Sequence, residues 1–422
     1  MGSESRGFIR SRLYQSYFGM NLTSATAGSV ASVAIIWVVF AMTKSAIDIA
    51  IIGVTQTLTS IAATLPTGVW VDRYNRRALL LAANAVSAAS IGCLALITAE
   101  YGFHFVAIIA AAIAWSVASE LYRSTNYSVL PDIVKAEQIA DANGVTQAGS
   151  SLTSSVSNAL GGAIVAAAGA AVAFSYGFAA FSIAAVFSFL LFARAPPRAS
   201  AAQERPRERR MGQEVKEGFR WLITQRGLFE LSVSAMVFNF IFGMANYFMV
   251  VYVAVALAGG AVLFGIILAA YVIGNATGSL LVGKTGALRH AGKAWVLLYG
   301  GAVGLLTLFM GLFPIAPLAV TASLLIGLAA GFSGNVWLSS AQGLVPSDMR
   351  GRYFAIDGLL SFIGGPPAIA GGGILITVIG VAKVYQLTGI LLVISAVVFA
   401  SMKSLWALDG RMKGQGLSTN AA

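Results

Sequence analysis

Long apolar runs separated by short polar or charged turns make up almost the whole chain. A run of about 20 apolar residues crosses a hydrocarbon layer as a helix, because only a helix satisfies its own backbone hydrogen bonds there. The pattern therefore predicts an all-α polytopic membrane protein of twelve transmembrane helices in two pseudo-symmetric six-helix halves. The first six fall near 13–42, 47–71, 78–99, 103–130, 141–168 and 171–192, the second six near 228–257, 261–282, 294–313, 317–344, 354–379 and 384–406. Between the halves, from Arg194 to Arg226, the composition turns to Pro, Arg and Glu, as in a disordered charged linker. Near its end Val215, Phe219, Leu222 and Ile223 recur at helical spacing among charges, which predicts an amphipathic helix lying in the membrane interface. The expected organisation is a first half over 1–193, a linker over 194–226, a second half over 227–406 and a tail over 407–422.

Composition and charge fix the setting. Of 422 residues 58% are hydrophobic and 10% charged, far below the charged quarter of a soluble domain. The net charge of +11 could suit nucleic acid, but the basic residues lie in short loops and form no continuous groove. They obey the positive-inside rule instead: among 27 Lys and Arg only Lys44 and Lys383 fall on the outer side. Both termini are then expected inside, in a plasma (cytoplasmic) membrane, with the bilayer as partner, no nucleic acid, and a monomer as the working unit. The first apolar run is too long for a signal peptide and reads as a retained helix. One cysteine, Cys93, and two histidines at span ends, His104 and His290, offer no metal site, no cofactor site and no catalytic cluster.

Polar groups inside spans face protein or water. In helix 1, Tyr17, Asn21 and Ser24 share one face, either as a cavity wall or as interhelical hydrogen-bonding groups. In the second half the cavity candidates are Asn239, Asn246, Tyr247, Asn335 and Gln342, with Phe238, Phe242, Phe248 and Trp337 as aromatic neighbours suited to a large, partly apolar ligand. Glu120 and Arg123, three apart on helix 4, can pair along one face, and Glu120 is the proton-coupling candidate. Helix 5 is rich in Gly and Ser, which lets a neighbour approach closely. An internal echo joins Val129-Leu130-Pro131 with Asp141-Ala142-Asn143-Gly144 to Leu344-Val345-Pro346 with Ala355-Ile356-Asp357-Gly358; both acids could serve a helix N-terminal dipole.

The turn between helices 2 and 3 reads Gly68-Val69-Trp70-Val71-Asp72-Arg73-Tyr74-Asn75-Arg76-Arg77. The spacing Gly-x-x-x-Asp-Arg-x-x-Arg-Arg, within twelve spans and beside a basic central linker, resembles the loop 2-3 signature of the major facilitator superfamily. In that family Gly68 would allow close helix contact, while Asp72, Arg73, Arg76 and Arg77 would latch the two halves. The segment Glu217-Gly218-Phe219-Arg220-Trp221-Leu222 and the two proline turns resemble the branch of macrolide and enterobactin exporters. The Gly-Pro-x-x-Gly-Gly signature of drug antiporters is not matched, since helix 5 has Ser157-Asn158-Ala159-Leu160-Gly161-Gly162. Helix 11 carries Gly364-Gly365-Pro366-Pro367, where a proline kink is expected. The resemblance implies a secondary active transporter exporting amphipathic small molecules by alternating access, with protons as candidate coupling ion. The alternatives are an importer or facilitator of a small metabolite, or a non-transporting receptor on the same fold.

Overall fold

The computed structural model describes residues 7–135, 138–193, 211–285, 291–346, 349–403 and 405–406. Of the expected linker over 194–226, residues 194–210 lie outside the described residues, as do the turn over 286–290, the tail over 407–422 and the side chain of Asp72.

Local chemistry marks several of the helix boundaries. Helix α1 (Arg12–Thr43) stops at Lys44, whose left-handed backbone (φ 55°) returns its N–H to the Phe40 carbonyl. Ser45 then caps α2 (Ala46–Arg73) by accepting from the Asp48 N–H at 3.2 Å. Asn75 caps α3 (Arg76–Tyr101) through the N–H groups of Arg77 and Ala78. Helix α4 (Phe105–Val129) runs into the short turn Leu130–Asp132. Helix α5 covers Ile139–Ala193 but is broken at Gly169, whose φ of 81° and ψ of 178° divide it into two crossing limbs. After it come α6 (Met211–Thr224) and α7 (Arg226–Asn246), the latter continued by Met249–Val251 and a π-helical turn, Tyr252–Ala256. Helix α8 is Ala261–Thr285. Helix α9 begins as Ala291–Ala294, passes through a π-helical stretch, Trp295–Ala302, and ends as Val303–Leu312. The chain closes with α10 (Ala316–Leu344), α11 (Arg350–Ile363), α12 (Gly365–Ile379) and α13 (Val381–Ala400).

Among the described residues ten helical runs are long and apolar enough to cross a membrane, the break at Gly169 turns one of them into two, and α11 with α12 supplies the twelfth crossing. The expected proline kink in helix 11 is displaced. The interruption falls at Gly364, and Pro366 and Pro367 open α12, where first-turn N–H groups have no helical acceptor to lose. The amphipathic helix expected near 215–223 is α6.

The chain divides into two compact units, residues 1–201 with 259–269, and residues 202–258 with 270–422. In the first unit α1 packs along α5, where Gly161 leaves room for Val30 and Val33, and Gly149 for Phe18. Tyr14 fastens the same pair by donating to the Ala142 carbonyl at 3.1 Å and meeting the Thr146 hydroxyl at 3.1 Å. In the second unit α8 and α10 approach through reciprocal glycines: a Cβ on Gly274 or Gly278 would strike the Leu324 or Leu328 carbonyl, and one on Gly327 or Gly331 the Tyr271 or Asn275 carbonyl. Helix α6 is held to that unit by an apolar cluster of Leu222, Leu228, Val345, Met349, Tyr353 and Ile356.

Candidate functional site

Four helices of the first unit each present a pair of polar groups three residues apart to a common space: Asn21 and Ser24 on α1, Asn84 and Ser87 on α3, Ser119 and Tyr122 on α4, and Gln147 and Ser150 on α5. Positions three apart share a helix face, so every pair lies along one inward stripe. With Trp115 and Phe181 they line a cavity of about 260 Å³, and among the described residues no side chain of that lining carries a charge.

The lining is held by its own hydrogen bonds. Asn21 and Asn126 face each other, Asn126 Nδ2 donating to Asn21 Oδ1 at 3.0 Å, while the Tyr122 hydroxyl donates to the same Oδ1 at 3.0 Å. Asn21 Nδ2 in turn donates to the Tyr17 carbonyl at 2.8 Å. Ser24 donates to Asn84 Oδ1 at 2.8 Å, and Asn84 Nδ2 reaches Ser188 Oγ at 3.0 Å. Such a network fixes the orientation of amides that would otherwise rotate, leaving a wall of defined donors and acceptors. It can bind a neutral ligand by hydrogen bonding and ring contact, and it offers nothing to a ligand that needs an ion pair.

Of the helix 1 candidates, Asn21 and Ser24 therefore line the cavity, whereas Tyr17 is buried in an apolar cluster with Phe8, Tyr14, Met20 and Leu80. Sequence reasoning missed Asn84, Ser87, Trp115, Ser119, Tyr122, Asn126, Gln147 and Ser150. The signal was present as the repeated three-residue spacing of polar groups on four spans.

Glu120 points elsewhere. Its carboxylate accepts from Arg123 twice, Nη2 to Oε1 at 2.6 Å and Nε to Oε2 at 3.1 Å, and from Thr64 on α2 at 3.3 Å. The residue is buried while Arg123 is half exposed, so the pair joins the outer face of α4 to α2 and leaves the cavity to Ser119 and Tyr122.

In the loop after α2, Arg76 Nη1 donates to the Ser128 carbonyl at 3.0 Å and meets Asp132 at 3.5 Å, which ties the start of α3 to the end of α4. Arg73 is exposed, and Arg77 is partly buried beside the Asn75 cap. The close-approach role expected of Gly68 is not seen in this conformation, because an added Cβ there would meet nothing within 4 Å.

In the second unit Asn239 accepts from the Tyr299 hydroxyl on α9 at 2.7 Å, and Asn335 donates to Ser279 on α8 at 2.9 Å and to the Gly331 carbonyl at 3.0 Å. Asn246 at the end of α7 and Gln342 on α10 are exposed, and Tyr247 is partly buried. The structure thus gives Asn239 and Asn335 separate partners. Phe238, Phe242 and Phe248, expected as ligand-facing rings, are buried packing residues, Phe238 against Trp295, Tyr299 and Phe399.

A family model described as Major Facilitator Superfamily matches residues 17–369. The chain belongs to the major facilitator superfamily. Solved structures of transporters share its fold: a bacterial homologue of the iron transporter ferroportin (TM-score 0.70, 13% identity, covering 93% of this chain and 99% of that one), the nucleoside transporter NupG (TM-score 0.70, 13% identity, 93% and 99%) and a POT family transporter crystallised with a thioalcohol-conjugated peptide (TM-score 0.72, 14% identity, 97% and 98%). No curated protein matches the sequence. Membership in this superfamily makes the chain a multi-pass membrane protein of a transporter family; at these identities the neighbours speak to fold alone.

Proposed function

We propose that this superfamily member is a secondary active transporter that exports amphipathic small molecules by alternating access, with both termini on the cytoplasmic side of a plasma membrane. The observation that carries the reading is the cavity of the first unit, whose lining combines eight uncharged hydrogen-bonding residues with Trp115 and Phe181. A charged metabolite such as a sugar phosphate would leave its charge unpaired there at a cost of several kcal/mol, whereas a molecule with an aromatic or apolar body and scattered hydroxyl or carbonyl groups fits. The skewed distribution of Lys and Arg supports the orientation.

The test is flux in inverted vesicles and in proteoliposomes of the purified protein, with two uncharged probes, a macrolide that lacks an amino sugar and a metal-free catecholate siderophore. Accumulation in inverted vesicles above that of protein-free vesicles, reduced by Trp115→Ala and Asn84→Ala, supports export through this cavity. Accumulation only in the opposite orientation makes the protein an importer, and no flux of either probe refutes the substrate class. Cysteines placed at Gln203 and Lys383 in a Cys93→Ser background are expected to label from opposite sides of the membrane; labelling from one side overturns the orientation.

A further inference from the structure

The sequence echo between Asp141 and Asp357 dissolves in three dimensions. Asp141 lies in the first turn of α5, where the helix dipole accounts for it. Asp357 is the eighth residue of α11, past the first turn and beyond the reach of that dipole. It is only 5% exposed, and its Oδ1 has no hydrogen-bond partner. Among the described residues no basic side chain forms an ion pair with it.

Its surroundings are assembled from four packed elements. Helix α7 places Ser232 beside it and beside the Tyr353 hydroxyl, 3.2 Å from the Ser232 oxygen. One turn before it on α11, Phe354 rests against Trp337 of α10, whose indole N–H is a second buried polar group without a partner. Among the described side chains, the charged groups of the neighbouring elements are paired or exposed, and those of Glu214 and Lys216 on α6 lie outside the described residues. On α7, Arg226 and Glu230 pair with each other at 3.3 Å, and on α6, Glu217 and Arg220 are exposed. Helices α10 and α12 carry no titratable residue, Tyr353 is the titratable neighbour on α11, and the side chains of Arg350 and Arg352 lie outside the described residues.

We propose that Asp357, and not Glu120, is the proton-binding carboxylate of this transporter. A carboxylate buried without a cation is costly, and a bound cation relieves that cost. Oδ1 exposes essentially no surface, so there is no room for an ammonium group or a metal ion, and the cation that needs no volume is the proton. Glu120 has its cation already, since both its oxygens are taken by Arg123. The balance is simple: one proton joins Asp357 Oδ1 or Oδ2, the carboxylate becomes a neutral acid, and no other bond changes. The coupling consequence rests on the transport function proposed above, but the site does not, and the experiment separates the two.

Infrared difference spectra of the purified full-length protein between roughly pH 5 and pH 8 read carboxylic acids directly through their C=O stretch. The expected result is a protonated-acid band that vanishes in Asp357→Asn, shifts in Asp357→Glu and persists in Glu120→Gln. The shift in Asp357→Glu decides the matter even if the asparagine variant folds poorly. A band unchanged in both Asp357 variants, or lost in Glu120→Gln, overturns the proposal. In proteoliposomes, stimulation of macrolide flux by an imposed pH gradient is expected to be lost in Asp357→Asn while gradient-free exchange survives. If the wild type carries no macrolide, the substrate reading fails and the infrared result still decides the proton site.

Discussion

Two glycines on α10 allow a comparison that isolates one physical effect. An added Cβ at Gly327 would collide with the Tyr271 carbonyl of α8, with the Tyr271 carbonyl carbon at 2.9 Å and the Asn275 nitrogen at 3.0 Å, whereas at Gly334 it would meet nothing within 4 Å. Ordinary contact begins at 3.4 Å, and the groups in the way are backbone, which no rotamer change can remove. Helix α8 has to retreat, and a gap of even half an ångström forfeits a quarter or more of each dispersion contact along the interface. Both Gly327→Ala and Gly334→Ala gain about the same helix propensity, ~1 kcal/mol, so that gain cancels in the comparison. What remains is the overpacking cost, about 1–3 kcal/mol. For a unit of this size that difference corresponds to roughly 2–12 °C in melting temperature. Purified variants in one detergent, melted while intrinsic tryptophan fluorescence is followed, are expected to show Gly327→Ala below Gly334→Ala by that amount. Gly274→Ala, the reciprocal change on α8, should fall with Gly327→Ala. Equal melting temperatures for Gly327→Ala and Gly334→Ala would mean that the two helices are not in backbone contact, and the reasoning would fail.

Three further outcomes are expected. Gly169→Ala places a side chain at φ 81° and ψ 178°, a region that only glycine occupies without strain, and should cost about 1–3 kcal/mol, while Gly144→Ala on the same helix, in open space, should not; parallel melts would expose a mistake. Tyr122→Phe removes one of two donors to Asn21 Oδ1 and should lower stability by about 0.5–1.5 kcal/mol, with a larger loss on Asn126→Ala in the same background if the amide pair is the main support. Glu120→Gln gives up an ion pair whose arginine is half exposed, so less than about 1 kcal/mol should be lost and the pH dependence of transport should stay as in the wild type; a flattened pH profile would return the proton to Glu120.

The spans, the twelvefold count and α6 were legible in the sequence because each follows from one-dimensional requirements: about 20 apolar residues to cross hydrocarbon, and helical spacing of Val215, Phe219, Leu222 and Ile223 for an interfacial helix. The face shared by Asn21 and Ser24 was legible for the same reason, since three-residue spacing is a property of one helix. Which faces meet is not such a property. Asn21 finds Asn126 and Ser24 finds Asn84 only after neighbouring helices have settled their rotations about their own axes, and side-chain packing along the whole length sets those rotations. That is why Tyr17, one turn from Asn21, is packed among Phe8, Tyr14 and Met20. It is also why Glu120 turns to Thr64 and Arg123 while its neighbour Ser119 lines the cavity. The glycine pairs 274 and 278, 327 and 331 were visible as spacings, yet among 46 glycines only the tertiary structure shows which of them admit another backbone. Asp141 and Asp357 make the same point: similar in sequence context, they differ in position along their helices and in what surrounds them, and the surroundings decide whether a carboxylate caps a helix or waits for a cation.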